Sequence, residues 1–293
     1  MVSDESGIHG NRFQSIAFIS GSNEQMVAFN RICKQLLGTT QATEFKWSQV
    51  ETLQRFSVSS QILTEFFERT NLRVMVLTWD IQDSRHKIAN RDDRENFHRM
   101  LFHGLRRNAD WHGVRDWMWF PDQKQDLRHP DIVDFLNSTR ELPIYNKSKP
   151  LIRPDRGYLR ILKHAQRCSK ELPILGVADL FAGAVNYSHS KCDDILRALR
   201  MKKDCENGLL FEEFRDDAWE RKTEQARAEI AAQIYELGKK HKQSISLESK
   251  NCLSTWPRSP RFSFWKYEPQ AEYDKAPTKR HRESPKAQRM TSS

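Results

Sequence analysis

Four acidic side chains, far apart in the chain, carry the chemistry this sequence offers: Asp4, Glu44, Asp122 and Asp179. Each stands at or beside the end of an ordered stretch. Asp4 follows Met-Val-Ser, Glu44 opens Glu-Phe-Lys, Asp122 follows the aromatic run Trp117 to Pro121, and Asp179 sits on an apolar helix. Carboxylates drawn from separate elements are the donors with which a two-metal site holds divalent cations ~4 Å apart for in-line attack at phosphorus. Like charges ~5 Å apart repel by about 3 kcal/mol per pair at an effective dielectric of ~20, so such a cluster needs cations or protons to stand. Hard oxygen donors select Mg²⁺ or Mn²⁺.

Asp179 is the only charge in the stretch Ile174 to His189, Ile-Leu-Gly-Val-Ala-Asp-Leu-Phe-Ala-Gly-Ala-Val-Asn-Tyr-Ser-His. Pro173 suits the first turn of a helix there. At helical spacing the neighbours of Asp179 are Leu175, Gly176, Ala182 and Gly183, so no Lys or Arg lies one turn away to pair with it. The small residues let another backbone approach closely. Two readings stand side by side: a helix laid across a sheet with Asp179 aimed at a shared site, and an Asp solvated or bonded to backbone N–H groups at the helix edge.

The elements that must position these acids follow from periodicity. Met1 to Ser3 reads as a short strand, paired through a Gly7 and Gly10 turn with a second strand, Phe13 to Ser20. Ser22 or Asn23 caps a helix that runs to Gly38. Glu44-Phe45-Lys46-Trp47 is a short strand or extended segment whose two charges share one face. A helix is expected within Ser48 to Thr70, the clearest strand from Leu72 to Trp79, a helix near Asp92 to Arg107, and another from Pro130 to about Thr139. Leu142 to Arg156 reads as a loop and Tyr158 to His164 as a strand. Strands interleaved with helices predict an α/β fold, a mixed sheet flanked by helices. Leu209 to Lys242 carries an apolar stripe of Phe214, Ala218, Ala226, Ile230, Ile234 and Leu237, which predicts a long helix packed on the domain or mediating self-association. The expected organisation is a domain over residues 1–200, this helix over 205–243, and an aromatic then basic, partly disordered tail over 244–293. In that tail Trp256, Phe262, Phe264, Trp265 and Tyr267 dock on the domain or meet a partner.

Taken in order, Asp4-Glu5-Ser6-Gly7, Glu44-Phe45-Lys46, the strand ending in Asp122, and Ser169-Lys170 followed by Leu175-Gly176-Val177-Ala178-Asp179-Leu180-Phe181-Ala182-Gly183 resemble the successive motifs of the domain of unknown function 3800 family. The resemblance covers about residues 1 to 190. It implies a ribonuclease H-like fold and metal-dependent nuclease activity, in a family some of whose members accompany mobile-element or phage-defence genes. It also implies that Asp4, Glu44, Asp122 and Asp179 are metal ligands. Lys46 then contacts the scissile phosphate or forms a salt bridge to Glu44 or Glu5, and Lys170 is a second candidate for the phosphate. Two departures stand out: the family has a longer apolar first strand, and it commonly has Gln two or three residues before the last Asp, where this chain reads Gly176-Val177-Ala178. Asp80, at the end of the clearest strand, is the alternative to Asp122. Glu5 alternates away from Asp4 and reads as a turn or cap residue.

Other chemistries fit less well. His98 and His103 lie five apart on a predicted helix, which turns them away from a shared zinc. Neither Ser6 nor Ser169 sits in a Gly-x-Ser-x-Gly elbow, and Gly7 with Gly10 joins strands instead of opening a helix. Arg99, Arg106, Arg107 and Arg115, and again Lys147, Lys149 and Arg153, lie near tryptophans. This is the pattern of a nucleic-acid groove, and equally of a solvated face.

A chain of 293 residues with 38% hydrophobic and 30% charged residues is long enough for a large core. Its net charge of +9 favours a polyanionic partner, although Lys279, Arg280, Arg282, Lys286 and Arg289 of the tail supply much of it. Five scattered cysteines without a Cys-x-x-Cys pair argue against a disulfide framework or structural zinc. No apolar run approaches the ~20 residues of a membrane span, and no h-region follows the start. The expectation is a cytoplasmic protein that binds nucleic acid and no membrane.

Overall fold

A strand covered by helices on both faces must be apolar along its whole length, and the stretch Arg73–Asp80 is buried from Val74 onward. The computed structural model describes residues 1–7, 11–40, 42–51, 53–83, 93–112, 116–123, 129–138, 160–207, 219, 221–256 and 259–268. Within them the chain runs β1 (Val2–Ser6), β2 (Phe13–Ser20), α1 (Asn23–Gly38), α2 (Leu53–Arg69), β3 (Arg73–Asp80), α3 (Asp93–His112), β4 (Asp116–Pro121), α4 (His129–Ser138) and β5 (Arg160–His164). It continues through α5 (Ile174–Ser188), α6 (Cys192–Glu206), α7 (Lys222–Lys240), β6 (Ile245–Ser246), β7 (Ser254–Thr255) and β8 (Phe262–Lys266). Six strands form one mixed sheet in the order β5-β4-β1-β2-β3-β8. β1, β2 and β3 are antiparallel neighbours, while β4 joins β1, β5 joins β4 and β8 joins β3 in parallel.

Alternation along the strands divides the core in two. Ala17, Ile19, Val74, Val76, Phe262 and Phe264 face α1, α2, α5, α6 and α7. Ile16, Phe18, Met75, Leu77, Trp117 and Trp119 face α3 and α4. Ser22 caps α1 through a reciprocal capping box with Gln25.

Several expectations are corrected. β1 extends to Ser6, so Asp4 lies within the strand and not after it. Of the two readings of Glu44 to Trp47 the extended segment holds and the strand does not: Lys46 is extended (φ −152°, ψ 126°) and leads into a 3₁₀ turn, Trp47–Gln49. α6 is an unanticipated helix. Of the two readings of the aromatic stretch beyond residue 244, docking on the domain holds, though as an integral element instead of a tail: Phe262–Lys266 is the sixth strand of the sheet, aligned with Val74 to Thr78. Arg261 anchors it, its buried guanidinium donating to the carbonyls of Phe66, Phe67 and Leu72 and so capping the last turn of α2. α7 spends its apolar stripe inside the monomer, burying Ile230, Ile234 and Leu237 in the core of the α5 face. Among the described residues no helix is long and apolar enough to cross a membrane, and all five cysteines are free. Gly10, Arg115, Tyr158, Phe214, Ala218, the loop 142–156 with Lys147, Lys149 and Arg153, and the basic residues of 269–293 lie outside the described residues.

α5 lies across β1 and β2, and the segment around Phe45 lies over α5. Two glycines make this approach possible. A Cβ on Gly176 would stand 2.3 Å from the Phe45 carbonyl oxygen, and one on Gly183 would stand 2.1 Å from the Trp47 ring. Gly176→Ala therefore meets backbone that cannot swing aside. It is expected to lower stability by about 1–3 kcal/mol, or ~2–4 °C of Tm per kcal/mol, in a thermal melt. Gly38→Ala, with nothing within 4 Å of the new Cβ, is expected to leave Tm unchanged or slightly raised.

Candidate functional site

Parallel pairing of β1 with β4 aligns Val2 with Phe120 and Ser3 with Pro121, which makes Asp4, in the middle of β1, and Asp122, just after β4, neighbours where that pairing ends. The Asp122 N–H donates to the Ser3 carbonyl at 2.9 Å. Along β1, Ser3 points to the α3 face, where its Oγ accepts from Trp119 Nε1 at 2.9 Å, so the alternation turns Asp4 toward α5. Strands are added to β1 in one direction through β2 and β3 and in the other through β4 and β5. Chain connections diverge at such a point, and this is where open α/β sheets bind ligands.

Asp179 reaches the same place from α5. Its buried Oδ2 accepts the Trp47 N–H at 2.8 Å, and Asp4 Oδ1 accepts the Glu5 N–H at 2.7 Å. Burial, then the negative charges of Asp179, Glu5 and Asp122, hold the Asp4 carboxyl well above its ordinary range. Burial lifts Asp179 to about 7; the Trp47 N–H and Lys46 pull it down, and Glu5 and Asp122 push it up. Asp122 rises to about 6, again by burial first, with Glu5 and Glu44 adding to it and the Gln123 N–H and Lys46 opposing. Asp4, Glu44, Lys46, Asp122 and Asp179 thus share one electrostatic neighbourhood.

Phe45 and Trp47 are buried beneath the segment that leaves Glu44 and Lys46 on its outer side, so the alternation expected there holds without a strand. Ser169 Oγ donates to Glu44 Oε2 at 2.5 Å, which brings the Ser169-Lys170 turn to the site with Lys170 exposed beside it. Asp80 stands apart. It is aligned with Phe13 two strands from β1, and its Oδ2 accepts from Arg12 Nε at 3.0 Å and Nη2 at 2.8 Å, so its charge is met by Arg12 and it does not join the cluster. Arg106 and Arg107 belong to α3, on the opposite face of the sheet, and the Arg107 guanidinium stacks on Trp265 at 4.0 Å. The structure therefore separates both arginines from the acids. Glu5, read from sequence as a turn or cap, instead bears on Asp4, Asp122 and Asp179.

The donor set fits Mg²⁺ or Mn²⁺ in its chemistry: all carboxylate oxygens, three of them held above their ordinary range by burial and by one another, a penalty that a dication removes. Its spacing is open, because among the described residues no three His, Cys, Asp or Glu side chains stand close enough to share one ion.

This chain is similar to two uncharacterized proteins of Methanothermobacter thermautotrophicus, ORF2′ and ORF2, each 28% identical over 287 and 289 residues respectively. The matches cover 94% of this chain and 95% and 96% of theirs, so the likeness runs through the whole fold and not one motif. No family model and no solved structure matches.

Asp179 carries a stability prediction. Its folded-state value, about 7, exceeds the unfolded ~3.9. The cost of burying its charge is therefore fully present above pH 7 and disappears as the pH falls toward 4, because the folded state takes up the proton first. Asp179→Asn keeps an oxygen for the Trp47 N–H. In EDTA its Tm is expected to exceed that of the parent by roughly 3 °C or more at pH 8, with the gap closing by pH 4.5. A gap independent of pH would contradict the burial assigned to this carboxyl.

Proposed function

We propose that this chain is a cytoplasmic, divalent-metal-dependent phosphodiester hydrolase of ribonuclease H-like fold, a member of the domain of unknown function 3800 family that cuts DNA or RNA. The observation that carries this reading is the meeting of buried Asp4 and Asp179 with half-buried Asp122 and Glu44 in one electrostatic neighbourhood, where β1 runs past its parallel pairing with β4. A mixed sheet covered by helices on both faces, with acids on its central strand, after the adjacent strand and on the crossing helix, is what the family resemblance implies. The net charge of +9 suits a polyanionic substrate.

Asp4, Glu44, Asp122 and Asp179 would hold Mg²⁺ or Mn²⁺, which when bound supplies a water of lowered pKa and stabilises charge on the leaving oxygen. The chain's own groups prepare this. The Trp47 N–H fixes one oxygen of Asp179, the Glu5 N–H fixes one of Asp4, and Ser169 Oγ turns Glu44. Asp4 and Asp179, whose carboxyls burial holds above the ordinary range, would release whatever proton they carry on taking up a cation. Lys46, on the outer side of its segment, offers a cation to a phosphate oxygen, and Lys170 offers another.

A second reading, a catalytically silent module that binds nucleic acid or protein on the same fold, draws on the open spacing of the acids. One set of measurements separates the two. Asp122→Asn and Asp179→Asn are each expected to reduce Mn²⁺-dependent cleavage of labelled DNA, RNA or hybrid by at least ~10²-fold, beyond the loss typical of residues that only support a ligand, with circular dichroism unchanged. Millimolar Mn²⁺ is expected to raise the Tm of the parent by mass action and not that of Asp179→Asn. Cleavage retained in both variants overturns the hydrolase; absence of both cleavage and Tm shift in the parent leaves the binding module.

A further inference from the structure

A cleft of about 310 Å³ opens beside the acids, lined by Phe120 of β4, Lys163 of β5, and Arg167, Glu171 and Leu172 of the stretch leading to α5. Phe120 and Leu172 pack against the α5-face core, so the cleft lies on the same face of the sheet as Asp4. It is also next to Asp122: Arg167 pairs with Asp122 in a parallel bridge, and its N–H donates to the Pro121 carbonyl at 3.0 Å. One strand spacing, ~4.8 Å, therefore separates the backbone of Arg167 from that of Asp122.

The lining has an apolar floor and a charged rim. Lys163 and Arg167 outnumber Glu171, the one carboxylate, which approaches Arg167 at 3.8 Å from an exposed position. Beside Asp122 and the acids grouped with it, a net positive pocket answers a negative group that must come close to them without touching them. The volume is at the small end for ligand clefts, ~300–1,000 Å³, and suits one nucleotide rather than a duplex. Aromatic surface with cations at its edge is how single strands are held whatever their sequence.

We propose that this cleft is a nucleotide subsite: it holds one unit of a single-stranded substrate beside the phosphodiester that is cut, with Lys163 and Arg167 on its phosphate and Phe120 against its base or sugar. This rests on the hydrolase reading and names its substrate as single-stranded at the point of attack. Glu171 competes with the phosphate for Arg167, so the bound strand displaces that ion pair.

The test is equilibrium binding of the full chain to fluorescein-labelled dT12 and rU12 by anisotropy, in EDTA so that nothing is cut, across a salt series. The double variant Lys163→Gln, Arg167→Gln is expected to bind about tenfold more weakly and to lose about 0.7 from the log–log salt slope, the share of the one phosphate these two side chains hold on a single strand. Phe120→Leu, which keeps apolar bulk, is expected to weaken binding with the slope unchanged. Glu171→Gln is expected to tighten binding a few-fold, a gain that a damaged fold would not give. An unchanged slope in the double variant, or no gain from Glu171→Gln, overturns the subsite. If the parent still cleaves with Mn²⁺ in that case, the hydrolase stands and only the subsite falls. A parent that neither binds these strands nor cleaves any nucleic acid removes both.

Discussion

Two carboxyl groups buried in each other's field are the constraint to which the rest of this molecule answers. Asp4 and Asp179 lose water to burial and feel Glu5 and Asp122 as further negative neighbours. At ~5 Å and an effective dielectric of ~20 each such pair is worth about 3 kcal/mol, comparable to a large share of a domain's net stability. The fold meets this with two backbone N–H groups, from Glu5 and Trp47, and with the charge of Lys46. What those groups leave uncompensated must be met by protons or by cations.

Holding the N–H of Trp47 against Asp179 takes a good deal of the core. Phe45 and Trp47 are buried under their segment, and α5 admits them only where Gly176 and Gly183 leave room. Trp47 also meets Tyr187 edge-on with centroids 5.9 Å apart. The packing that stabilises the α5 face is thereby the same packing that sets the acids. Stability and site geometry cannot be tuned apart here.

The acids were legible in the sequence because each violates its surroundings. Asp179 has no charged neighbour on its helix, Asp122 ends an aromatic strand, and Glu44 alternates with buried rings. Asp4 was legible as a residue but not in its place, since Ser3, Glu5 and Ser6 hide a strand that is polar because its end faces a site. For the same reason Glu5 read as a cap. Asp80 misled because the best strand ends on it, and only the pairing of β2 with β3 places Arg12 within reach. Arg106 and Arg107 carry a charge that could answer the acids but lie on the other face of the sheet, a distinction that lies in the sheet and not in local pattern. α6 carries a readable stripe of Ile195, Ala198 and Met201 behind Asp193 and Asp194, but it is short and highly charged. β8 was masked by the prolines around it; its alternation of Phe262 and Phe264 inward is clear once β3 is there to receive it.

That last pairing has a cost in time. β3 is buried from Val74 to Asp80, and the residue opposite Val74 is Phe262, so a ribosome adding ~5–20 residues per second leaves that edge without its partner for roughly 10–40 s. Exposed apolar edges recruit other chains. That edge stays open while Asp122 and Asp179 are still being added, and it closes only when β8 pairs with β3 and Arg261 reaches the last turn of α2.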